Sequence, residues 1–209
     1  MIILSRPRAA LGLLALVGAL ALPGCAALLV GGAVVGGTMV ATDRRTTATQ
    51  LEDQLIEGKA ATKVRETLGE RGKVTSTSYN RLVLLTGDVV TDSDKAAVEQ
   101  AVARVDNARS VVNELIVGGS ASLSTRSNDA LLSTKVKASI VDTKGLYANS
   151  IKVVTERGVV YLLGRVTEQE ATQATSVARG VSGVNKVVRV FDILTDAELA
   201  EIQPRAATK

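Results

Sequence analysis

One pattern occurs twice in this chain, and it limits the possible folds more than any other feature. The first copy runs Leu82-Val83-Leu84-Leu85-Thr86-Gly87 and leads into Thr91; the second runs Val159-Val160-Tyr161-Leu162-Leu163-Gly164 and leads into Thr167. A short aliphatic run ending on Gly predicts a buried strand followed by a turn. Each Thr then opens a helix. Thr167-Glu168-Gln169-Glu170 predicts a capping box, in which hydroxyl and carboxylate satisfy backbone donors at the helix start, and Thr91-Asp92-Ser93-Asp94 is a weaker version. Helical spacing follows through Ala97, Ala101 and Val105 in one copy and Ala174, Val177 and Val181 in the other. Each copy closes on an apolar strand, Val111 to Val117 and Val187 to Leu194. Upstream lie a helix with a core stripe (Ile56, Ala60, Val64, Leu68; then Leu132, Val136, Ile140) and a leading strand (Val74 to Tyr79; Ile151 to Thr155). The expected fold class is α+β, a tandem pair of small αββαβ domains over 47–118 and 125–195, followed by a tail at 196–209 that Pro204 limits.

Composition fixes what such units are made of and what chemistry they lack. Aromatic residues are 2% of the chain, with Phe191 the sole Phe and no Trp, so cores of Val, Leu, Ile and Ala are expected. The chain has no His, which removes the commonest general base and the commonest neutral metal ligand. Its single Cys, Cys25, cannot form a disulfide within the chain or build a thiolate cluster. No G-x-S-x-G elbow is present, and Gly31-Gly32 and Gly36-Gly37 sit in an apolar stretch rather than after a strand. Glu168 and Glu170 are explained by the helix start they occupy. No enzyme, metal site or cofactor is expected from these residues. Nucleic acid is not an expected ligand either, because stacking aromatics are missing.

The N-terminus carries a different signal. Arg6 and Arg8 precede an apolar run from Ala9 to Leu22, which Pro23 and Gly24 end just before Cys25. A basic start, a short apolar stretch and small residues before a cut site predict an export signal over 1–24. The run is short for a membrane span, and Pro23-Gly24 would break a helix. Leu22-Pro23-Gly24-Cys25 resembles a bacterial lipobox, with Pro23 departing from the residues more usual there. That resemblance implies lipid (palmitate-type acyl) attachment at Cys25, and Ala26 in place of Asp implies sorting to the outer membrane, on its periplasmic face. Residues 25–46 then form a Gly-rich apolar tether whose glycines disfavour a soluble helix.

The repeated unit resembles the BON domain, and the arrangement resembles dual-BON periplasmic lipoproteins of Gram-negative outer membranes. The residues that carry this are the structural glycines Gly87 and Gly164 and the turn Gly183-Val184-Asn185-Lys186-Val187. The matching turn of the first copy, Asp106-Asn107-Ala108-Arg109-Ser110-Val111, lacks the Gly, so the first domain reads as the more diverged. The resemblance implies recognition of anionic phospholipids such as phosphatidylglycerol or cardiolipin by the second domain, in support of outer-membrane integrity.

Charge separates the two copies. Residues 47–118 hold nine Lys/Arg and eleven Asp/Glu, whereas 125–195 hold ten and six, so the first domain is mildly acidic and the second basic. A basic surface near a bilayer favours anionic headgroups by roughly 1 kcal/mol per well-placed cation. On the first helix of the second domain, Leu131 lies off the core stripe with Lys135 one turn on and Lys137 also outside it, a small interfacial pattern. A lone exposed Leu and solvated lysines are also ordinary on any surface. In the first domain the position matching Leu131 is Lys59, so the apolar feature is not expected to be shared. The phospholipid-binding residues expected are therefore Leu131, Lys135 and Lys137. The alternative is a protein-interaction scaffold, in which the two domains pack together and dock an envelope partner through a strand edge.

Overall fold

A computed structural model describes residues 43–202, so Cys25, the paired glycines of the tether and Pro204 lie outside the described residues. The first unit runs α1 (Thr47–Leu68), β1 (Gly72–Tyr79), β2 (Leu82–Val89), α2 (Asp92–Ala103), β3 (Ser110–Asn113) and β4 (Ile116–Val117). The second runs α3 (Leu123–Val141), a 3-10 turn (Ala148–Ser150), β5 (Ile151–Glu156), β6 (Val159–Val166), α4 (Glu168–Arg179) and β7 (Lys186–Ile193), and α5 (Asp196–Ile202) follows. The fold is α+β, with the αββαβ order present twice.

Each helix starts where a hydroxyl can cap it. Thr46, Thr91, Ser122 and Thr167 each accept the backbone N–H three residues on, and Thr167 with Glu170 completes a full capping box. In both sheets the central strand pairs antiparallel with the strand before it and parallel with the strand after the helix. The strong apolar runs become these central strands, β2 and β6, and both faces of each are covered. Val83, Leu85 and Val89 face α1 and α2, while Val160, Leu162 and Val166 face α3 and α4. The alternate residues Leu82 and Leu84, and Tyr161 and Leu163, face the other sheet. Helices, sheet, sheet and helices thus stack in four layers, and strands apolar on both sides are what such a sheet pair demands.

The seam between the sheets is built from Tyr79, Leu84, Tyr161, Leu163 and Val190. Two of the chain's few aromatics therefore sit between the domains, a place the aliphatic-core expectation did not foresee. The Tyr79 hydroxyl donates to the Ser150 carbonyl at 3.0 Å across the seam. At its rim, Lys152 pairs with Glu57 at 2.9 Å and Arg109 with Asp192 at 3.0 Å. Burial raises the pKa of both tyrosine hydroxyls, so they stay protonated donors.

Four expectations need correction. Gly87 and Gly164 do not end their strands, which run on two residues further. Their role is close approach: a Cβ would lie 2.0 Å from the Lys73 carbonyl oxygen at Gly87 and 2.4 Å from that of Ser150 at Gly164. The helix α2 core is Val98, Val102 and the following Val105, with Ala97 and Ala101 only half-buried. In α4 the fully buried residues are Ala171, Ala174 and Ala178, with Val177 and Val181 packed beside them. The last strand of the first domain is broken at Glu114-Leu115 without a change of register. Asn113 turns its amide to the Lys95 carbonyl and Glu99, and Lys95 holds the Leu115 carbonyl at 2.7 Å, so α2 captures the chain where β7 runs straight.

Candidate functional site

The register of α1 and α3 on their sheets is set by one carboxylate each. Asp53 accepts the backbone N–H groups of Asn80 and Arg81 at 2.8 and 2.7 Å, and Asp129 accepts those of Arg157 and Gly158, both at 2.8 Å. Both residues are buried, and each ties its helix to the tip of the β-hairpin beneath it. A buried carboxylate satisfied by turn N–H groups fixes rotation as well as position, because moving it strands three polar groups.

With Asp53 and Asp129 equivalent, Leu55 corresponds to Leu131 and Lys59 to Lys135. The placement of Lys59 opposite Leu131 is thereby corrected. The apolar feature is shared: Leu131 is 61% exposed and Leu55 58%. The sequence Asp53-Gln54-Leu55-Ile56 against Asp129-Ala130-Leu131-Leu132 carries the same alignment.

The lysines differ where the leucines agree. Lys59 is paired with Asp106 at 3.1 Å. Lys135 is exposed and forms no ion pair among the described residues. It borders, with Leu131, a cleft of about 540 Å³ between α3 and the α4–β7 loop. Gly183 adopts φ +100° in that loop, the left-handed region that favours Gly.

Lys137 points elsewhere. Its ammonium donates to the Ile151 carbonyl at 2.7 Å and to that of Ala148, closing the 3-10 turn against β5. Burial lowers its pKa below the ordinary lysine value. The structure brings Leu131 and Lys135 together and gives Lys137 a structural task, which its position outside the core stripe did not reveal. Replacing Lys137 with Ala is expected to cost about 1–3 kcal/mol in thermal or denaturant unfolding, since two carbonyls lose a charged donor. Vesicle binding by the same variant should stay within about twofold of the parent, because the charge it removes is already committed.

Sequence reading missed a second arrangement entirely. The segment Asp43-Arg44-Arg45, where the described chain begins, is clasped into the seam. Arg44 makes a bidentate pair with Glu170 of α4, both bonds 2.6 Å, and donates to the Arg165 carbonyl at 2.9 Å. Arg45 pairs with Asp53 at 2.8 Å and lies over the Tyr79 ring at 3.8 Å. Adjacent residues thus hold different domains.

Among the described residues no helix is long and apolar enough to cross a membrane, and no group of three or more acidic residues could hold a metal ion.

The chain is similar to "Outer membrane lipoprotein DolP" of Haemophilus influenzae, at 38% identity over 175 residues, 83% of this chain and 90% of that protein. It is also similar to the "21 kDa hemolysin" of Actinobacillus pleuropneumoniae, at 30% identity over 72% of this chain and 78% of the relative. Among solved structures, the C-terminal domain of CdsD, a structural protein of the type III secretion system of Chlamydia trachomatis, matches 68% of this chain and 67% of its own with a TM-score of 0.28 and 11% identity. The BON domain family model matches residues 45–119 and 128–195, one match for each αββαβ unit. The chain belongs to the BON-domain family.

Proposed function

We propose that this protein is an outer-membrane lipoprotein anchored through Cys25, whose second domain binds anionic phospholipid at the periplasmic face and supports envelope integrity. The observation that carries this reading is the pairing of Leu131 with an uncommitted Lys135 on one exposed turn of α3. An apolar side chain to enter the interface beside a free cation for the headgroup is the minimum an interfacial surface needs. The similarity to an outer membrane lipoprotein of Haemophilus influenzae supports the location, and the basic balance of residues 125–195 supports the choice of anionic lipid.

Flotation tests the reading on the unlipidated mature chain, with Cys25→Ala, against neutral vesicles and vesicles carrying phosphatidylglycerol or cardiolipin. Binding is expected only to the anionic vesicles and should fall steeply as salt rises. Leu131→Glu with Lys135→Glu reverses charge and removes the apolar contact, so partitioning should drop about a hundredfold. Equal binding to neutral and anionic vesicles, or no effect of the double change, would remove the lipid-reading surface from α3.

A second reading, as a protein-docking scaffold, draws on the first domain. There Leu51 and Leu55 are both exposed on α1, while Lys59 is neutralised by Asp106 and Lys63 by Glu66. A salt-tolerant capture of one envelope protein, lost with Leu55→Glu and kept with Leu131→Glu, would favour it.

A further inference from the structure

Helix α1 carries two opposite stripes, and the fold uses one of them. Ile56, Ala60, Val64 and Leu68 fill the core of the first domain. Opposite them, Leu51, Leu55, Gly58 and Thr62 follow at i, i+4, i+7 and i+11, all exposed and all on one face of the helix. Between this face and the α2–β3 loop lies a recess of about 550 Å³, which Leu55, Gly58, Arg104 and Val105 help to line. Only Leu55 has a counterpart in the second domain. With Asp53 matched to Asp129, Leu51 falls on Ser127 and Gly58 on Thr134.

Gly58 is the residue that the fold does not explain. It sits in the interior of a 22-residue helix, where Gly is less favourable than Ala. Its φ lies outside the left-handed region, and an added Cβ would meet no neighbouring atom within 4 Å. Neither backbone conformation nor packing within the domain therefore calls for glycine. On an exposed helix face, glycine lets a second backbone approach closely. Two leucines one turn apart, with glycine on the next turn, are the spacing by which a helix reads an apposed helix.

The rim gives the sign of the charge. The first domain holds more acidic than basic residues, yet the recess is bordered by Lys59, Lys63 and Arg104 against one carboxylate, Asp106. Arg104 is exposed and forms no ion pair among the described residues. The pairs Lys59–Asp106 and Lys63–Glu66 lie in solvent, where such pairs are weak and exchange readily for a partner's carboxylates. A recess accepts a ridge of side chains rather than the flat surface of a bilayer.

We infer that this face of α1 docks an amphipathic helix of a partner protein, one with a stripe of small or aliphatic residues flanked by Asp and Glu. The leucines and glycine supply the contact, and the rim cations select the sign of the partner's charge. This inference rests on the reading of the first domain as a docking surface and adds what the partner presents to it.

Two synthetic peptides of about 18 residues, long enough to hold a helix alone, are the probes. Both carry an Ala/Leu stripe at i, i+3, i+4 and i+7; one is flanked by Glu and the other by Lys. With the unlipidated mature chain, the Glu peptide is expected to shift the Leu51, Leu55, Gly58 and Arg104 amides in NMR. It should bind about tenfold tighter than the Lys peptide, and Arg104→Glu should narrow that preference to about threefold or less. Gly58→Met should weaken the Glu peptide about tenfold or more while the melting temperature holds or rises, because Met is the better helix former. A glycine needed by the fold alone would give the reverse, a lower melting temperature with unchanged binding, and that result overturns the inference. So does equal binding of the two peptides. Self-association of the parent that Gly58→Met abolishes would give the face to a second copy, and vesicle flotation lost in Gly58→Met would give it to the membrane; either overturns the partner helix. If neither peptide shifts these amides, the inference fails, and the docking reading is then decided separately by whether the parent captures an envelope protein that Leu55→Glu loses.

Discussion

Gly87→Ala is expected to unfold the first domain or leave it barely folded, with a loss of about 4 kcal/mol or more, a large fraction of an ordinary domain's stability. Two causes act at one position. Gly87 holds φ +112°, where an L side chain is strained, and its Cβ would sit 2.0 Å from the Lys73 carbonyl oxygen in the neighbouring strand. The strand cannot yield, because Val74 pairs with Gly87 and the register extends unbroken from Gly72↔Val89 to Tyr79↔Leu82. Gly164→Ala meets the Ser150 carbonyl at 2.4 Å without a positive φ, so the smaller loss is expected there. That carbonyl also accepts the Tyr79 hydroxyl, so Gly164→Ala should loosen the seam as well as the second sheet. Thermal melts of both variants, with hydrogen exchange resolved by strand, check the order. A Gly87→Ala protein within about 1 kcal/mol of the parent would mean that this close pairing is not maintained in solution.

Glu170→Gln is expected to cost about 3–5 kcal/mol, because it leaves the Arg44 guanidinium buried without its counter-charge. Gln can still accept the Thr167 N–H that Glu170 now accepts at 2.8 Å, so the loss reports the ion pair more than the helix cap. A double cycle with Arg44→Met isolates the coupling, expected at about 2 kcal/mol or more. The pair also sets a pH dependence. Burial by itself raises the Glu170 pKa, but the Arg44 and Thr167 hydrogen bonds outweigh it and the net shift is downward. A carboxyl held more acidic in the folded chain contributes its full stability above the ordinary carboxylate range. That contribution fades as pH falls from about 4 through the folded value. Acid unfolding of the parent should therefore show a step that Glu170→Gln lacks; parallel acid profiles would count against the pair.

The repeat made most of the architecture legible before any coordinates. Strand and helix order followed from the apolar runs, the capping Thr residues and the core stripes, all short-range signals. What escaped is long-range. The runs Leu82–Leu85 and Val159–Leu163 are apolar on both faces, which marks a covered sheet, yet nothing local says that the cover is the other sheet. Arg44 reads as a tether residue because its partner, Glu170, lies far along the chain and already has a local role at a helix start. Lys137 looked free because a lysine's reach to backbone carbonyls leaves no pattern in sequence. The equivalence of Leu55 and Leu131 was legible in the shared Asp-x-Leu sequence.

The clasp at Asp43–Arg45 also decides how the molecule answers a mechanical load. A pull on the chain upstream of Asp43 does not meet the first turn of α1, which would peel one hydrogen bond at a time. It meets Arg44 and Arg45 at the joint between the sheets, where one residue grips Glu170 and its neighbour grips Asp53. The force divides between the domains and is resisted by several bonds strained at once. The two domains therefore take up such a load together, and the seam between the sheets, rather than either helix alone, sets the force they withstand.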